Sequence, residues 1–288
     1  MFAIYKRELK TYFNSMIGFV FLAFFLIIIG LYTWAYNFSY GIGNFEVTLN
    51  QVAFLFILLI PILTMRIVSE DYRQKTDQML LTAPVSITQV VMGKYLAVLS
   101  LFLIGVAVIS IYPAVIASYG TDVRLVLAYG GILGFALLGA SYIAIGMFIS
   151  SLTESQLIAA VLSFVVMLLC YLVPGLSSML PTSAISQLLI VVIGILILCF
   201  AFYNMTQNEV LTIALAIVAE AAAIIVYAVK SSLYEGLISK ILDWLAVSDR
   251  YNNFAMGILD YSALLYYLSI IFIFNFLTVQ VMTKKKFN

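Results

Sequence analysis

The 288-residue chain has no histidine, only two cysteines and five prolines, and only 9% of its residues are charged. Without histidine it lacks the commonest general base, the commonest transition-metal ligand and any histidine-based proton relay. Cys170 and Cys199 each lie inside an apolar run, where a thiol usually behaves as a small hydrophobic side chain. The sequence therefore predicts neither a metal site nor a disulfide framework.

Apolar residues, by contrast, make up 65% of the chain, and its mean hydropathy is +1.14. Globular domains contain about 45–50% apolar and about 25% charged residues. The composition therefore predicts an integral membrane protein. The basic residues are few and are not gathered into a phosphate-binding face, so we expect no nucleic-acid partner.

Eight apolar stretches approach the roughly 20 residues that a helix needs to cross a bilayer core of about 30 Å. They are residues 16–36, 47–67, 95–117, 125–149, 157–173, 185–202, 210–229 and 261–282. Pro61 is expected to interrupt the second stretch. Because the runs lack the alternating pattern of a membrane barrel, we expect an all-α polytopic membrane protein with about eight transmembrane helices. The whole chain, 1–288, is predicted to form one transmembrane domain.

The positions of lysine and arginine predict the orientation, because these residues stay preferentially on the cytoplasmic side. With a cytoplasmic N-terminus and an even number of spans, ten of the fourteen basic residues are cytoplasmic. They are Lys6, Arg7, Lys10, Arg66, Arg73, Lys75, Lys94, Lys284, Lys285 and Lys286. We therefore expect a multi-pass protein of the cytoplasmic membrane with both termini in the cytoplasm.

Two segments outside the spans have apolar residues at helical spacing, which predicts amphipathic helices in the membrane interface. In residues 1–15, three basic side chains lie opposite an apolar face. Residues 231–245 belong to a predicted extracellular interfacial segment at 231–260 and have the same pattern. Ser232 and Glu235 have capping-box spacing, which predicts the start of the second helix.

Residues 66–94, between the second and third spans, form a predicted cytoplasmic loop that is far longer than a tight turn requires. Charged residues precede apolar ones in its first part, which predicts a short helix that ends at Pro84. Ser86 and Gln89 have capping-box spacing and predict the start of a helix that continues into the third span. Such a helix–break–helix element, with mixed charge and an apolar edge, is suited to docking on a soluble partner.

At these residues the chain resembles the membrane subunits of type 2 ABC exporters, in particular the gliding-motility permease branch. The family pattern is an acidic pair, a few basic residues, Gly-Thr, a glutamate two residues on, Leu, Thr, Pro-Val-Ser and Gly-Lys. The matching residues are Glu70, Asp71, Arg73, Thr76, Leu80, Thr82, Pro84, Val85, Ser86, Gly93 and Lys94. Lys75 stands where the family has glycine, and Gln78 where it has glutamate.

The resemblance extends to residues 6–32 and 254–279, which are similar to the family's opening and closing segments. It implies a six-span exporter core, which the spans at 185–229 exceed by two. It also implies a permease subunit of an ATP-binding cassette transporter, which moves its substrate outward by alternating access driven by a separate ATPase subunit. Such a permease pairs with a second copy or a related permease, as a homodimer or a heterodimer.

The resemblance further implies that the coupling-helix loop at 66–94 grips the ABC ATP-binding subunit. ATP and magnesium would be bound by that partner, with no cofactor in this chain. The expected contacts with the ATPase subunit are Glu70, Asp71, Arg73, Lys75, Thr76, Asp77, Leu80, Pro84 and Ser86.

The chain itself lacks an ATPase motif. A phosphate-binding P-loop needs the pattern G-x-x-x-x-G-K-[ST]. The segment "TQVVMGKYL" contains Gly93 and Lys94. However, Thr88 occupies the first glycine position and Tyr95 the hydroxyl position. We therefore expect the chain not to be an enzyme, and the energy for transport to come from another polypeptide.

Two polar residues inside predicted spans are candidates for the translocation path or for a contact with the other subunit. Glu220 lies near the middle of its span, where a charge costs at least about 2.5 kcal/mol. At that depth Glu220 would face a cavity, face a partner or carry a proton. Alternatively, it lies closer to the membrane surface than the middle of its span. Asn275 lies in the last span. The glycine-rich segment 130–146 is assigned to close helix packing rather than to substrate binding.

Two other classes of protein stay open as alternatives. An ion-gradient-driven secondary transporter would contain several intramembrane carboxylates or glycine-broken helices in matching halves, and only Glu220 fits. A membrane-embedded lipid-modifying enzyme would need clustered acids, histidines or a metal-binding Asp motif at the membrane face. The acidic residues of this chain are dispersed, with no such cluster.

Overall fold

A computed structural model of the protein describes residues 1–75, 85–119, 124–181, 183–206, 209–258 and 260–287. These ranges are largely helical and contain no strand, which confirms the predicted all-α class. Within them, seven helical stretches are long and apolar enough to cross a membrane. They are Ile17–Ser39, Phe45–Gln74, Ile87–Ser118, Leu125–Leu152, Gln156–Met179, Thr212–Val229 and Tyr261–Lys285. A shorter apolar helical segment, Ala184–Ile197, lies where the remaining span was predicted.

The helices are numbered in chain order. They are α1 (Phe2–Asn14), α2 (Ile17–Thr33), α3 (Phe45–Val52), α4 (Phe56–Thr64), α5 (Ser69–Gln74), α6 (Ile87–Ile109), α7 (Tyr112–Ser118), α8 (Leu125–Leu152), α9 (Gln156–Met179), α10 (Ala184–Thr206), α11 (Glu209–Val229), α12 (Leu237–Leu245), α13 (Tyr251–Ala255) and α14 (Tyr261–Phe287). A π-helix at Trp34–Ser39 continues α2, and 3-10 turns lie at Ala53–Leu55 and Ser231–Leu233.

The first compact unit contains Met1–Tyr171 and Val247–Asn288. Its centre is α8, which packs against α3, α4, α6 and α14 and has most of its side chains buried. Phe135 of α8 contacts Phe56 of α4, with ring centroids 4.5 Å apart. Phe25 of α2 and Phe102 of α6 extend this aromatic cluster. Since lipid is as apolar as these side chains, van der Waals packing of this kind holds the helices together.

Glycines of α8 allow neighbouring elements to approach this helix closely. Each faces a side chain of another element, and the pairs are Gly131 with Glu46, Gly134 with Phe254, Gly139 with Phe102 and Gly146 with Thr64. A Cβ atom added to Gly134, for example, would lie 2.5 Å from Phe254 Cγ. These contacts agree with the packing role predicted for the segment 130–146.

The second span is not interrupted at Pro61, contrary to the sequence-based prediction. The helix α4 continues through this buried residue, and the regular α-helix is broken instead by the 3-10 turn at Ala53–Leu55. Proline removes only one backbone hydrogen bond, and the packed neighbours of a transmembrane helix compensate for that loss.

The second compact unit, Leu172–Ala246, contains α10 and α11, the helices at the two predicted spans 185–202 and 210–229. Of its described residues, Thr212–Val229 is long and apolar enough to cross a membrane, whereas the apolar segment Ala184–Ile197 is shorter. Its helices α10 and α11 pack against each other. Gln187 of α10 is fully buried; its Nε2 donates to Pro181 O at 2.8 Å, and its Oε1 accepts from Ile238 N at 3.0 Å. The amide side chain therefore attaches the amphipathic helix α12 to the start of α10.

The start of α12 differs from the prediction. A capping box of Ser232 and Glu235 would begin a helix at these residues, whereas α12 begins at Leu237. Gly236 precedes it with φ of 66°. Glycine adopts this left-handed conformation without the steric cost that a Cβ atom imposes. The helix therefore starts four residues later than a capping box at Ser232 and Glu235 predicts.

Candidate functional site

A buried lysine joins three segments at one end of the first unit. Lys94, near the start of α6, has only 2% of its side chain exposed. Its Nζ lies 2.7 Å from Asp71 Oδ2 and 3.1 Å from Glu8 Oε1, and it donates to Ile67 O at 2.8 Å. The ammonium group thus donates hydrogen bonds to Glu8 and Ile67 and forms a close ion pair with Asp71. We call this arrangement the Lys94 joint, because it fastens α1 and the chain around α5 to α6.

Two further ion pairs flank the Lys94 joint. Arg66 Nε lies 2.6 Å from Glu70 Oε2, and Arg7 Nη2 lies 2.6 Å from Glu8 Oε1. Burial opposes ionisation of Glu8, but attraction and hydrogen bonds from Lys94 and Arg7 outweigh it, so the pKa of Glu8 is lowered. With Asp71, the cluster contains three cations and three carboxylates, and this balance avoids an uncompensated buried charge.

Ser150, near the end of α8, ties the fourth span to the same region. Its Oγ accepts hydrogen bonds from the backbone N–H groups of Val68 and Ser69, both at 3.2 Å, and donates to Met65 O at 3.1 Å. A hydroxyl has one hydrogen and two lone pairs, so this side chain is fully satisfied. The turn between α4 and α5 is therefore attached to α8 through one side chain.

One face of α1 packs on the bundle. Ile4, Glu8 and Tyr12 recur at intervals of four residues and so lie on the same side of this helix. A Cβ atom at Gly93 of α6 would lie 3.2 Å from Ile4 Cγ2, so glycine permits the close crossing of α1 and α6. Tyr12 donates its hydroxyl to Leu63 O at 3.1 Å, and burial raises its pKa, which keeps the hydroxyl protonated. The inner face of α1 thus contacts protein.

The last helix reaches the same region. Lys285 Nζ lies 3.8 Å from the centre of the Tyr72 ring, a favourable cation–π geometry. Within the first unit, α1, α5 and the C-terminal part of α14 therefore meet at one end of the bundle.

The residues predicted to contact an ATPase subunit divide into two groups. Asp71 is 9% exposed and Glu70 is half-buried, and both are directed to cations of this chain. Arg73, Lys75 and Ser86 are exposed. The other predicted contacts lie outside the described residues: Thr76, Asp77, Leu80 and Pro84. The acidic pair thus binds cations of its own chain, and a contact of the exposed residues with an ATPase subunit stays a prediction.

The two helix boundaries in this loop have separate causes. Ser86 is the N-cap of α6, because its Oγ accepts a hydrogen bond from Gln89 N at 3.3 Å, which confirms the predicted helix start. The helix α5 ends at Lys75, which has φ of 56°. Left-handed backbone at a helix C-terminus favours glycine, the residue that the resembled family has at this position.

The two polar residues predicted inside spans differ in their surroundings. Glu220 lies on α11 in the second unit, half-buried, and makes no hydrogen bond or ion pair with any described residue. Asn275 lies on α14 in the first unit and is 6% exposed. Its Nδ2 donates to Ile271 O at 2.8 Å, and its Oδ1 has no partner among the described residues. Their assignment to a translocation path or subunit interface stays a prediction.

Sequence reasoning did not select Glu8 or Ser150. The signal for Glu8 was the spacing of Ile4, Glu8 and Tyr12, which places this acid in the middle of one face of α1. Ser150 gave no signal, because its role depends on backbone groups more than eighty residues earlier in the chain.

Comparison with known families agrees with this architecture. The family model described as ABC-2 family transporter protein matches residues 43–233, about two thirds of the chain. This range contains Lys94, Asp71 and Ser150 and extends from α3 to the turn that follows α11. No curated protein matches the chain. Because this model matches more than half of the chain, the protein belongs to the ABC-2 family of transporter proteins.

Proposed function

We propose that this chain is the permease subunit of an ATP-binding cassette exporter and moves its substrate outward by alternating access. Members of its family are transport components of the membrane without an ATPase of their own. ATP and magnesium would therefore be bound by a separate ABC ATP-binding subunit. The observation that carries the proposal is the Lys94 joint, because it attaches the described first part of the loop, at Ile67 and Asp71, to the membrane helix α6.

This attachment is what a mechanical linkage requires. Lys94 of α6 donates a hydrogen bond to Ile67 O and forms an ion pair with Asp71. Ser150 of α8 accepts hydrogen bonds from the backbone N–H groups of Val68 and Ser69. A displacement of this part of the loop therefore moves α6 and α8 with it. Alternating access by rigid-body motion needs such a connection between the driving subunit and the spans.

The exposed side of the same loop provides the docking surface in this proposal. Arg73, Gln74 and Lys75 are exposed directly after the inward-facing Asp71 and Tyr72. Asp71 holds the loop on the bundle, while the basic side chains are available to acidic groups of the ATPase subunit.

The proposed topology places both termini and the loop in the cytoplasm. The meeting of α1, α5 and Lys285 at one end of the first unit supports a common side for all three segments. The excess of basic residues in these segments favours the cytoplasmic side.

A second permease copy or a related permease would complete the transporter, as a homodimer or a heterodimer. In such an assembly Glu220 and Asn275 are our candidates for the translocation path or the subunit interface. Both carry polar atoms without a partner among the described residues of a single chain.

Charge reversal of the docking surface tests the proposal. The variant Arg73→Glu with Lys75→Glu leaves every side chain of the Lys94 joint intact. We expect it to insert into the membrane normally and to lose the ABC ATP-binding subunit in a detergent pull-down. The matched control is Lys230→Glu with Lys240→Glu, which reverses two exposed charges in the second unit. Equal retention of the ATPase subunit by both variants would contradict the docking role.

A further inference from the structure

The chain contains a groove between its N-terminal helix and its third span. The groove has a volume of about 420 Å³ and is lined by Met1, Phe2 and Tyr5 on one side and by Leu96 and Ser100 of α6 on the other. Leu96 and Ser100 belong to the membrane span Ile87–Ser118. One wall of the groove is therefore part of a membrane-spanning segment, where lipid is the surrounding solvent.

The interior of the groove suits a hydrocarbon chain. Its two side-chain hydroxyls both donate to acceptors of the protein: Tyr5 donates to Ser100 Oγ at 3.1 Å, and Ser100 donates to Leu96 O at 2.8 Å. Both hydroxyl hydrogens are thus used, and the other lining side chains are apolar. A polar ligand would gain little here, whereas an acyl chain would fill the space with dispersion contacts.

The helix that forms one wall of the groove, α1, also carries exposed cationic side chains. Lys6 lies one helical turn from Phe2, and Lys10 lies one turn further along α1. Both are exposed, and neither makes an ion pair or hydrogen bond with a residue that the structure describes. By contrast, Arg7 and Glu8 of the same helix are paired. Lys6 therefore lies one helical turn from a residue that lines the groove, and Lys10 adds a second exposed positive charge farther along α1.

We propose that this groove binds one anionic phospholipid, with an acyl chain between α1 and α6 and the phosphate near Lys6 and Lys10. The positive charges of Lys6 and Lys10 favour an anionic headgroup. The interior favours a hydrocarbon tail, because its hydroxyl hydrogens are already used in hydrogen bonds within the protein. Phe2, with 76% of its surface exposed next to Lys6, fits the bilayer interface better than a contact with a soluble protein. Only the identity of the leaflet, the cytoplasmic one, rests on the proposed function.

The test is native mass spectrometry of the purified full-length chain with equimolar phosphatidylglycerol and phosphatidylcholine. We expect the wild-type chain to retain phosphatidylglycerol preferentially, and an excess of inorganic phosphate not to displace it. Lys6→Gln with Lys10→Gln should reduce phosphatidylglycerol binding roughly tenfold and leave phosphatidylcholine binding unchanged. Ser100→Phe, which fills the groove without changing charge, should reduce the binding of both lipids.

The matched control, Lys230→Gln with Lys240→Gln, removes two exposed charges elsewhere and should not alter the preference. Absence of a preference in the wild-type chain would overturn the proposal. So would unchanged phosphatidylglycerol binding by the Lys6 and Lys10 variant. If the Lys6 and Lys10 variant kept its lipid preference but lost the ABC ATP-binding subunit in a detergent pull-down, the basic side of α1 would be a protein-docking surface and the proposal would be overturned.

Discussion

Lys94 Nζ lies 2.7 Å from Asp71 Oδ2, with 2% of the lysine side chain and 13% of the aspartate side chain exposed. Burial of such a pair removes both charges from water, a cost that attraction offsets only when the geometry is good and the remaining hydrogen bonds are made. Here the ammonium group also donates hydrogen bonds to Glu8 and to the carbonyl of Ile67. The pair therefore fixes the position of α5 on α6.

Removal of the lysine should destabilise the protein strongly. Lys94→Met leaves Asp71 and Glu8 buried without their common cation, and breaking a buried pair costs about 3–5 kcal/mol. We expect a lower thermal stability in detergent and, in the assembled transporter, ATP hydrolysis that no longer drives transport.

A combined variant separates charge from packing. Lys94→Met together with Asp71→Asn and Glu8→Gln removes the cation and both of its carboxylates, so it should be more stable than Lys94→Met alone. If the single and triple variants were equally unstable, the loss would come from packing and not from unpaired charge.

Ser150 should contribute to stability through the backbone groups that it satisfies. Ser150→Ala leaves the N–H groups of Val68 and Ser69 without their acceptor, at a cost of about 1–3 kcal/mol. Ser151→Ala is the matched control, because Ser151 is also fully buried but only donates to Phe148 O within its own helix. Hydrogen exchange at residues 68 and 69 should accelerate in the first variant only, and equal exchange in both would contradict this role.

At position 75, glycine should stabilise the loop more than a residue with a Cβ atom. Its φ of 56° disfavours side chains with a Cβ atom. Relative to Lys75→Ala, Lys75→Gly should raise the free energy of unfolding by about 1 kcal/mol. Both variants remove the same charge, so a difference in thermal stability reports the backbone, and no difference would exclude strain at this residue.

The contribution of Glu8 should depend on pH. Its pKa lies below the ordinary value of 4.5, so its stabilising effect is complete above that value and is lost as the pH falls through the lowered pKa. Above pH 4.5, Glu8→Gln should melt at a lower temperature than the wild-type chain. The two melting temperatures should converge on acidification, and a constant difference across this range would show that Glu8 does not act through its charge.

Hydropathy alone predicted seven of the eight spans, because a run of about 20 apolar residues is typical of a transmembrane helix. The predicted 125–149 became α8, Leu125–Leu152, and 210–229 became α11, Glu209–Val229. Ser86 could also be recognised, since an N-cap depends only on residues three positions apart.

Relationships between distant segments could not be predicted in this way. The sequence indicated that Asp71 is polar and lies in a loop, but not that it faces inward to Lys94 rather than outward to a partner. The partners Glu8 and Ser150 lie 86 and 82 residues from Lys94 and Val68, respectively. Pro61 was misjudged for a similar reason, because packed neighbours decide whether a helix tolerates proline.

The most direct measurement is photo-crosslinking in cells that express the chain with its ABC ATP-binding subunit. A photoreactive amino acid would replace Arg73 in the exposed part of the loop, and Lys240 of α12 as the comparison. We predict that the probe at residue 73 crosslinks to the ATPase subunit and that the probe at residue 240 does not. Crosslinking at residue 240 without crosslinking at residue 73 would contradict both the proposed topology and the proposed drive through the loop.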